Sequence, residues 1–297
     1  MKQWFKASIA SFAIIGLLTA ASAVSAAPQS STKVYIDGVQ QKNVLTINGR
    51  TMAQLTAFHD PEKLTYSFEQ ATKTVVISYK AKNLVIRLKA GASAAAVNGK
   101  NVKLDAPVTI KDGRTYLPLR FLTETLGGYA TFNSDTKHVI IRTPSGEERF
   151  KLLMSGDLDK ARDAAIRIQP TYENKEITPY GEGFTTIYTF PKGEALRFET
   201  DYKGLLSYIE ISPEGLALVK WQIDTLGQNG EAGKKPGSFG ESSFFRDSFM
   251  ASTLTYGTID KNGTSNDIDV IDYYANPEYK GIIVVPIPGE VRTDGKN

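Results

Sequence analysis

The sequence contains no cysteine and only two histidines, His59 and His138. The first absence excludes disulfides, thiolate metal sites, cysteine nucleophiles and a lipid-modified N-terminal cysteine. The second leaves too few imidazoles for a close-spaced metal cluster, and His59 (before Asp60-Pro61 in a loop) and His138 (beside the turn "SDTK") read as surface or rim side chains. No G-x-S-x-G nucleophile elbow and no G-x-x-x-x-G-K-[ST] phosphate loop occurs. "GKKPGSFG" (233–240) is glycine-rich but lacks the strand–loop–helix setting and reads as a flexible loop. "DKNGTSNDID" (260–269) offers hard oxygen donors, yet Gly263 falls at position 4 and Ile271 at position 12, where a calcium loop needs glycine at 6 and glutamate at 12. A plain hairpin loop is preferred there. No catalytic, metal-binding or cofactor-binding residue is assigned, and no cofactor is expected.

Charge of one sign is also missing. The 297 residues carry 35 basic and 32 acidic side chains. "MKQWFKASIASFAIIGLLTAASAVSA" has Lys2 and Lys6, then an apolar stretch, then small residues with Val24 and Ala26 at the −3 and −1 positions of a cleavage site. This is the pattern of a secretory signal peptide over residues 1–26, rather than of a retained anchor. Its removal takes two lysines and no acid, leaving 33 basic and 32 acidic residues. No basic stripe suits nucleic acid, and no later run approaches the ~20 apolar residues of a membrane span. A secreted protein, extracellular or associated with a cell wall, is expected. An exported chain without cysteine fits a Gram-positive bacterium.

What is present is a duplication. "NGRTMAQLTAFHDPEKLTYSFEQATKTVVIS" (48–78) aligns without a gap to "DGRTYLPLRFLTETLGGYATFNSDTKHVIIR" (112–142), a shift of 64 residues. Gly49, Arg50, Thr51, Leu55, Phe68, Thr72, Lys73, Val75 and Ile77 recur at Gly113, Arg114, Thr115, Leu119, Phe132, Thr136, Lys137, Val139 and Ile141. Upstream, "VYIDGV" (34–39) echoes "AAVNGKNV" (95–102), displaced by 61. Asn48-Gly49 and Asp112-Gly113 are hairpin-turn dipeptides, and Val75/Ile77 and Val139/Ile141 alternate as in strands with one buried face. In the second copy Pro118 opens a short helix, Leu119, Leu122 and Leu126 form its apolar stripe, and Gly127-Gly128 ends it. In the first copy Asp60-Pro61 interrupts the same stretch and leaves a turn or loop. The two units are expected to share one core of antiparallel strands and a helix. Turn and core positions recur; Glu124, Arg120 and His138 align instead with Asp60, Thr56 and Thr74. Arg114, which recurs as Arg50, is assigned to a fold contact near the turn. Among residues 113–142 the polar groups free to bind are Arg120, Glu124 and His138.

Gly113-Arg114, Leu117-Pro118-Leu119-Arg120, Leu122, Glu124, Leu126-Gly127, Phe132, Thr136-Lys137, Val139 and Ile141 make residues 33–143 similar to the stalk-type domain named for the N-terminus of copper amine oxidases, with Phe132 in place of the usual tryptophan. The resemblance implies a non-catalytic appendage found in exported bacterial proteins. It does not imply a copper-quinone oxidase, which needs three histidines and an Asn-Tyr-Asp/Glu-Tyr tetrapeptide, neither of which this chain has.

A turn-rich stretch, "TPSGEER", separates this module from a second domain expected at 149–297. "EERFKLLMS" suggests a first helix, and "GDLDKARDAAIRIQP" a second capped by Asp157. Residues 184–190, 195–201, 205–212 and 216–223 are rich in β-branched and aromatic side chains and joined by short glycine-containing links, the pattern of a four-stranded meander. "FFRDSFMASTL" (244–254) reads as a short helix, and "TLTYGTI", "DVIDYYA" and "GIIVVPI" as strands, the last an edge strand because of Pro286 and Pro288. The expected class is α+β: a duplicated antiparallel β-hairpin/helix module, then a second α+β domain with an antiparallel β-meander. Tyrosines concentrate in this second half, and rings that offer flat area with a polar tip suit sugars and proteins. Tyr188, Tyr202, Tyr208, Trp221, Tyr273 and Tyr274 are the candidate ligand-binding residues, with core packing as the alternative role for each. The function expected is a secreted, non-enzymatic protein whose second domain binds a cell-wall or extracellular polymer or protein. The alternative is a secreted hydrolase of polysaccharide or peptide with its site in 149–297.

Overall fold

The computed structural model describes residues 32–295; the expected signal peptide lies outside them. No described helix is long and apolar enough to cross a membrane. The fold is largely β, 44% strand against 14% helix, with three α-helices among the described residues. This overturns the expected α+β class. One segment read as helix, 244–254, pairs as strand, and the three helices that do form are two to three turns long.

In the N-terminal part the turns dictate the strands. Asp37-Gly38, Asn48-Gly49, Asn98-Gly99 and Asp112-Gly113 all hold both residues at positive φ, the conformation that matches the twist of a two-residue hairpin. The central sheet has the order Thr109–Lys111, Arg114–Pro118, Arg50–Gln54, Val44–Ile47. Its two inner strands run antiparallel with Met52 opposite Pro118, Ala53 opposite Leu117 and Gln54 opposite Tyr116. Because 64 residues separate Ala53 from Leu117, each repeat meets its own equivalent there, and a local pseudo-twofold axis passes through that buried pair. The flanking sheets exchange parts about this axis. The hairpin Thr65–Glu69/Thr74–Tyr79 of the first copy continues through Leu84–Lys89 into the second copy's upstream hairpin, Ala94–Val97/Lys100–Lys103. The second copy's hairpin Tyr129–Asn133/His138–Arg142 receives the first copy's Lys33–Ile36, in parallel, and Val39–Gln41.

One apolar core results. Ala53, Phe58, Val75 and Ile77 from one copy pack with Leu117, Leu119, Leu122 and Ile141 from the other. Helix α1, Leu119–Leu126, buries Leu119, Leu122 and Leu126 and ends at Gly127 with φ 83°. The first copy has only a 3-10 turn, Leu55–Ala57. Asp60, at the position of Glu124, is buried instead.

The stretch 143–149 is not a loop: α2, Pro144–Leu153, starts there, capped by Thr143. Its first turn is tied to the module. Asp37 accepts from Thr143 N (2.9 Å) and Oγ1 (2.7 Å), and Asp60 accepts from Ser145 N (2.9 Å) and Oγ (2.7 Å). Carboxylates at a helix N-terminus meet unpaired N–H groups and the positive end of the dipole. A Cβ on Gly146 would lie 1.8 Å from Asp37 Oδ1, so only glycine admits this approach.

Helix α3, Leu158–Ile166, is capped by Asp157 as expected. The second half is one sheet of order Pro170–Tyr172, Ala217–Asp224, Leu205–Ile211, Arg197–Tyr202, Thr185–Pro191, Ser242–Ser248, Thr253–Ile259, Ser265–Asp272; Glu231–Gly233 adds to Ala217–Asp224. The four meander strands are neighbours in the expected order. The expected helix over 244–254 is instead the strand Ser242–Ser248, a turn and the start of Thr253–Ile259, because Thr185–Pro191 and Ser265–Asp272 provide partners on either side. The expected strand 281–287 is chain that joins no sheet, with Val285 N bonded back to Ile283 O (2.9 Å); Ile283, Val285 and Ile287 are buried in the core, while Pro286 lacks the donor a ladder needs.

Arg162 of α3 is wholly buried and pairs with buried Glu290 (2.5 Å). It also donates to Glu194 O (2.9 Å) and Pro191 O (3.3 Å), while Glu290 accepts from Ser243 Oγ (3.0 Å) and Gly193 N (3.2 Å). Helix, sheet and C-terminal segment are thus pinned at one point.

Candidate functional site

The six candidate aromatics separate by depth. Trp221 is buried, with Nε1 donating to Glu231 (2.5 Å) and Lys235 over its ring at 5.7 Å. Tyr208 is buried and donates to Glu210 (2.6 Å); burial first, then that bond, lifts its hydroxyl to about 12. Tyr188 is half-buried against the second core, and burial raises its pKa. These three support the sheet. Tyr202, Tyr273 and Tyr274 come together elsewhere.

They line an open groove of ≈ 700 Å³ at one end of the large sheet, with Phe184, Thr186, Asp247, Phe249, Met250 and Lys280. Local structure explains the convergence. Phe184 immediately precedes the strand Thr185–Pro191, and Phe249-Met250 sit in the turn after Ser242–Ser248, its hydrogen-bonded neighbour. Phe249 N donates to Phe184 O (3.1 Å), and the two rings lie 6.2 Å apart. Tyr273 N donates to Ser252 O (2.9 Å) and holds the end of the last strand against the same turn. Tyr273 OH donates to Asp247 Oδ1 (2.9 Å); burial, reinforced by this carboxylate, raises its pKa.

Over this floor stand side chains that folding does not bury. Phe184 is 53% exposed, Phe249 62%, Met250 73% and Tyr274 86%. Contiguous apolar exposure of this kind marks an interaction surface. Lys203 Nζ lies 5.2 Å from the Phe184 ring and 5.3 Å from that of Tyr202, and Lys280 Nζ 5.9 Å from that of Phe249. Flat rings edged by ammonium groups present apolar area together with donors. Phe249 and Met250 escape the sequence reading because 244–254 is taken there as a helix, and Lys280 because it follows the last strand in a stretch with no local signal. The signal available was two adjacent large apolar residues between "RDS" and "AS", in a turn-like setting.

A second cleft, ≈ 790 Å³, runs beneath the 233–240 loop and includes Arg197, Tyr208, Glu210 and Lys220. Its carboxylates are engaged, Glu173 by Lys220 (2.8 Å) and Glu210 by Tyr208, and Arg197 pairs with Glu194. The loop is anchored by Phe239, whose ring lies 5.9 Å from that of Tyr208. The 260–264 loop is a hairpin turn in which Asp260 accepts from Asn262 N (2.8 Å) and Thr264 N (2.9 Å). Among the described residues no group of three or more His, Asp or Glu side chains could hold a metal ion.

The polar residues of 113–142 do not form a cluster of their own. Arg114, Arg120, Glu124 and Asp135 are exposed. Arg50 pairs with Asp105 (3.1 Å), whereas no ion pair is found for Arg114 among the described residues. His138 lies at the junction with the second half: Nδ1 is 3.2 Å from Glu214, which also accepts from Asn133 and from Thr136 Oγ1 (3.3 Å). Arg142 completes that junction, bonded to Glu147 (2.8 Å) and Glu214 O (3.2 Å) and lying 4.1 Å from the Tyr129 ring and 3.7 Å from that of Phe150.

No curated protein and no solved structure matches the chain. The segment with the duplicated turns and shared core does have a family: residues 33–141 match the model of the copper amine oxidase N-terminal domain.

Proposed function

We propose that this is a secreted, non-catalytic binding protein, in which the copper amine oxidase N-terminal-like domain serves as a stalk and the second half captures a polymer of the cell wall or extracellular space. The observation that carries this reading is the groove in which Tyr202, Tyr273 and Tyr274 meet exposed Phe184, Phe249 and Met250. Four large side chains lie more than half in water on adjoining turns, and packing gains nothing from their exposure. Rings of this kind stack on the flat faces of sugar units or on apolar peptide side chains, while Lys203 and Lys280 add charge at the rim. The hydrolase alternative has less support, since it needs converging free carboxylates. Asp247, the carboxylate in the aromatic groove, accepts from Tyr273, and Glu210 and Glu173 in the other cleft are held by Tyr208 and Lys220.

The test is co-sedimentation of the full chain with purified cell walls and with insoluble extracellular polysaccharides, comparing the unaltered protein with Phe249→Ala/Tyr274→Ala. The whole chain is the right object because the junction ties both halves together. Retention that falls about tenfold or more in the double variant supports the reading. No retention on any of these polymers, or equal retention of both proteins, refutes it.

A further inference from the structure

The N-terminal domain holds two grooves that its duplication relates to one another. In one, ≈ 400 Å³, Thr46, Arg50 and Thr51 of the first copy face Leu119, Arg120 and Phe132 of the second. In the other, ≈ 1000 Å³, Ile110, Arg114 and Thr115 of the second copy face Leu55, Thr56 and Phe68 of the first. A shift of 64 residues converts each set into the other. The pseudo-twofold pairing about Ala53 and Leu117 is the cause, because it brings the turn of each copy against the hairpin of its counterpart.

Two features of these grooves exceed what the fold requires. Phe68 is 41% exposed and Phe132 53%, and neither belongs to a buried cluster. Cross-strand pairing with Val75 and Val139 accounts for one side of each ring; the other side stays in the groove. The charge is also one-sided. Lys73 and Arg114 line the larger groove and no carboxylate is among its described lining residues, Glu69 of the flanking strand being paired with Arg87 (2.6 Å); Arg50 and Arg120 outnumber Asp105 in the smaller.

Backbone supplies the third element. Val44–Ile47 and Tyr129–Asn133 flank the smaller groove; Thr109–Lys111 and Thr65–Glu69 flank the larger. Each is the outermost strand of its sheet among the described residues. Val44–Ile47 and Tyr129–Asn133 carry no charged side chain, the usual protection of an edge against added strands. An open edge beside a side-chain pocket is the arrangement that recognises extended peptides by strand addition.

We propose that the two grooves are paired docking sites for extended, acidic polypeptide segments. Each seats an apolar side chain on Phe68 or Phe132 and places a carboxylate against Arg114 and Lys73 in one groove, or Arg50 and Arg120 in the other. Two such sites on one chain make it bivalent toward a partner that repeats the segment.

The experiment is titration of the full chain with a fluorescein-labelled seven-residue peptide alternating glutamate with valine and phenylalanine, beside the same peptide with lysine for glutamate and beside polygalacturonate. The expected result is saturable binding of the acidic peptide at two sites. Phe68→Ala and Phe132→Ala each remove one site, and the double variant weakens binding about tenfold or more. Arg114→Glu removes the site that Phe68→Ala removes. Unchanged melting temperatures show that the variants fold. No saturable binding, equal binding of the lysine peptide, or binding indifferent to both phenylalanines overturns the proposal; so does phenylalanine-dependent binding of polygalacturonate alone, which would make the grooves glycan sites. The Phe249→Ala/Tyr274→Ala variant leaves peptide binding intact; loss of binding there would place the peptide in the other groove and also overturn it.

Discussion

The N-terminal domain and the sheet that follows it both bury one face of short antiparallel strands, and they specify the arrangement in different ways. The first is built from local signals used twice. Four of its turns are Asx-Gly dipeptides, its core is almost wholly apolar, and away from the junction its buried polar residues are Thr74 and Thr123. The second is a single eight-strand path with Arg162, Ser207, Gln222, Asp224, Ser242 and Ser243 buried. Duplication lets equivalent strands pair with each other, so a single pattern of turns and apolar residues positions both copies. A sheet without internal symmetry has no such redundancy, and long-range polar contacts such as Arg162–Glu290 hold its helix, its middle and its C-terminal segment together.

The largest expected effect therefore lies in the second half. Glu290→Ala leaves the Arg162 guanidinium buried with backbone acceptors alone and should cost about 3–5 kcal/mol in urea denaturation. Arg162→Met should cost a similar amount. The double change should cost less than the sum of the two, because each single change strands the same partner. A loss below about 1 kcal/mol for either single variant would erase the contrast drawn between the two regions, since the surrounding apolar contacts would then suffice.

Next in size is the joint between them. Asp60→Ala leaves Ser145 N and Oγ buried without their acceptor and should cost about 1–3 kcal/mol. Glu124→Ala, the same position in the other copy, removes an exposed side chain and should change stability by no more than about 0.5 kcal/mol. Calorimetry distinguishes two ways the first loss can occur. One transition that splits into two shows that Asp60 couples the halves; one that moves down intact shows that both halves unfold as a unit whatever the joint contributes.

Legibility in the sequence follows the same division. The paired turns, the helix of Leu119, Leu122 and Leu126, and the broken equivalent at Asp60-Pro61 are local, and each forms where the residues indicate. So do the Asp157 cap and the four meander strands. What local pattern misreads is where partners decide. Phe244, Phe245 and Phe249 have spacings a helix tolerates, yet strands on either side make the segment sheet, and the turn carrying Phe249-Met250 becomes part of the groove. Of the groove, Tyr202, Tyr273 and Tyr274 were visible as tyrosines, whereas Phe249 and Met250 were hidden by that one misassigned segment. The junction was invisible, since Glu214 reaches His138 across 76 positions.

Asp37 gives a smaller, pH-dependent effect at the same joint. Burial is the main cause that raises its pKa above 3.8; the Thr143 hydrogen bonds and Arg149 oppose the rise, and the nearby Asp60 charge adds to it. An acid whose native pKa exceeds its unfolded one holds more protons when folded. Its contribution to stability therefore falls as pH climbs from the unfolded pKa through the native one and is level outside that window. Asp37→Asn keeps an acceptor for Thr143 N and does not ionise. The stability of the unaltered protein relative to this variant should thus decline from about pH 3.8 upward, in denaturation curves measured at successive pH values. A relative stability that rises with pH would mean the carboxylate is favoured in its charged form, and that the joint gains more from the helix dipole than it loses to desolvation.

The smallest effects concern the exposed rings, and their smallness is what tests the functional readings. Phe68, Phe132, Phe249 and Tyr274 occur in both regions, and each is at least 41% exposed. Substitution by alanine should alter stability by no more than about 0.5 kcal/mol at Phe249 and Tyr274, and by no more than about 1 kcal/mol at Phe68 and Phe132, where one cross-strand pairing is lost. Side chains with so small a role in the fold can lose ligand without losing structure, so a change in binding reports on the surface itself. A cost above about 1 kcal/mol at Phe68 and Phe132 would show that the pairings with Val75 and Val139 need the whole ring. Their recurrence would then be a demand of the hairpin, and of the two surfaces only the aromatic groove of the second half would keep an exposure that exceeds what folding asks.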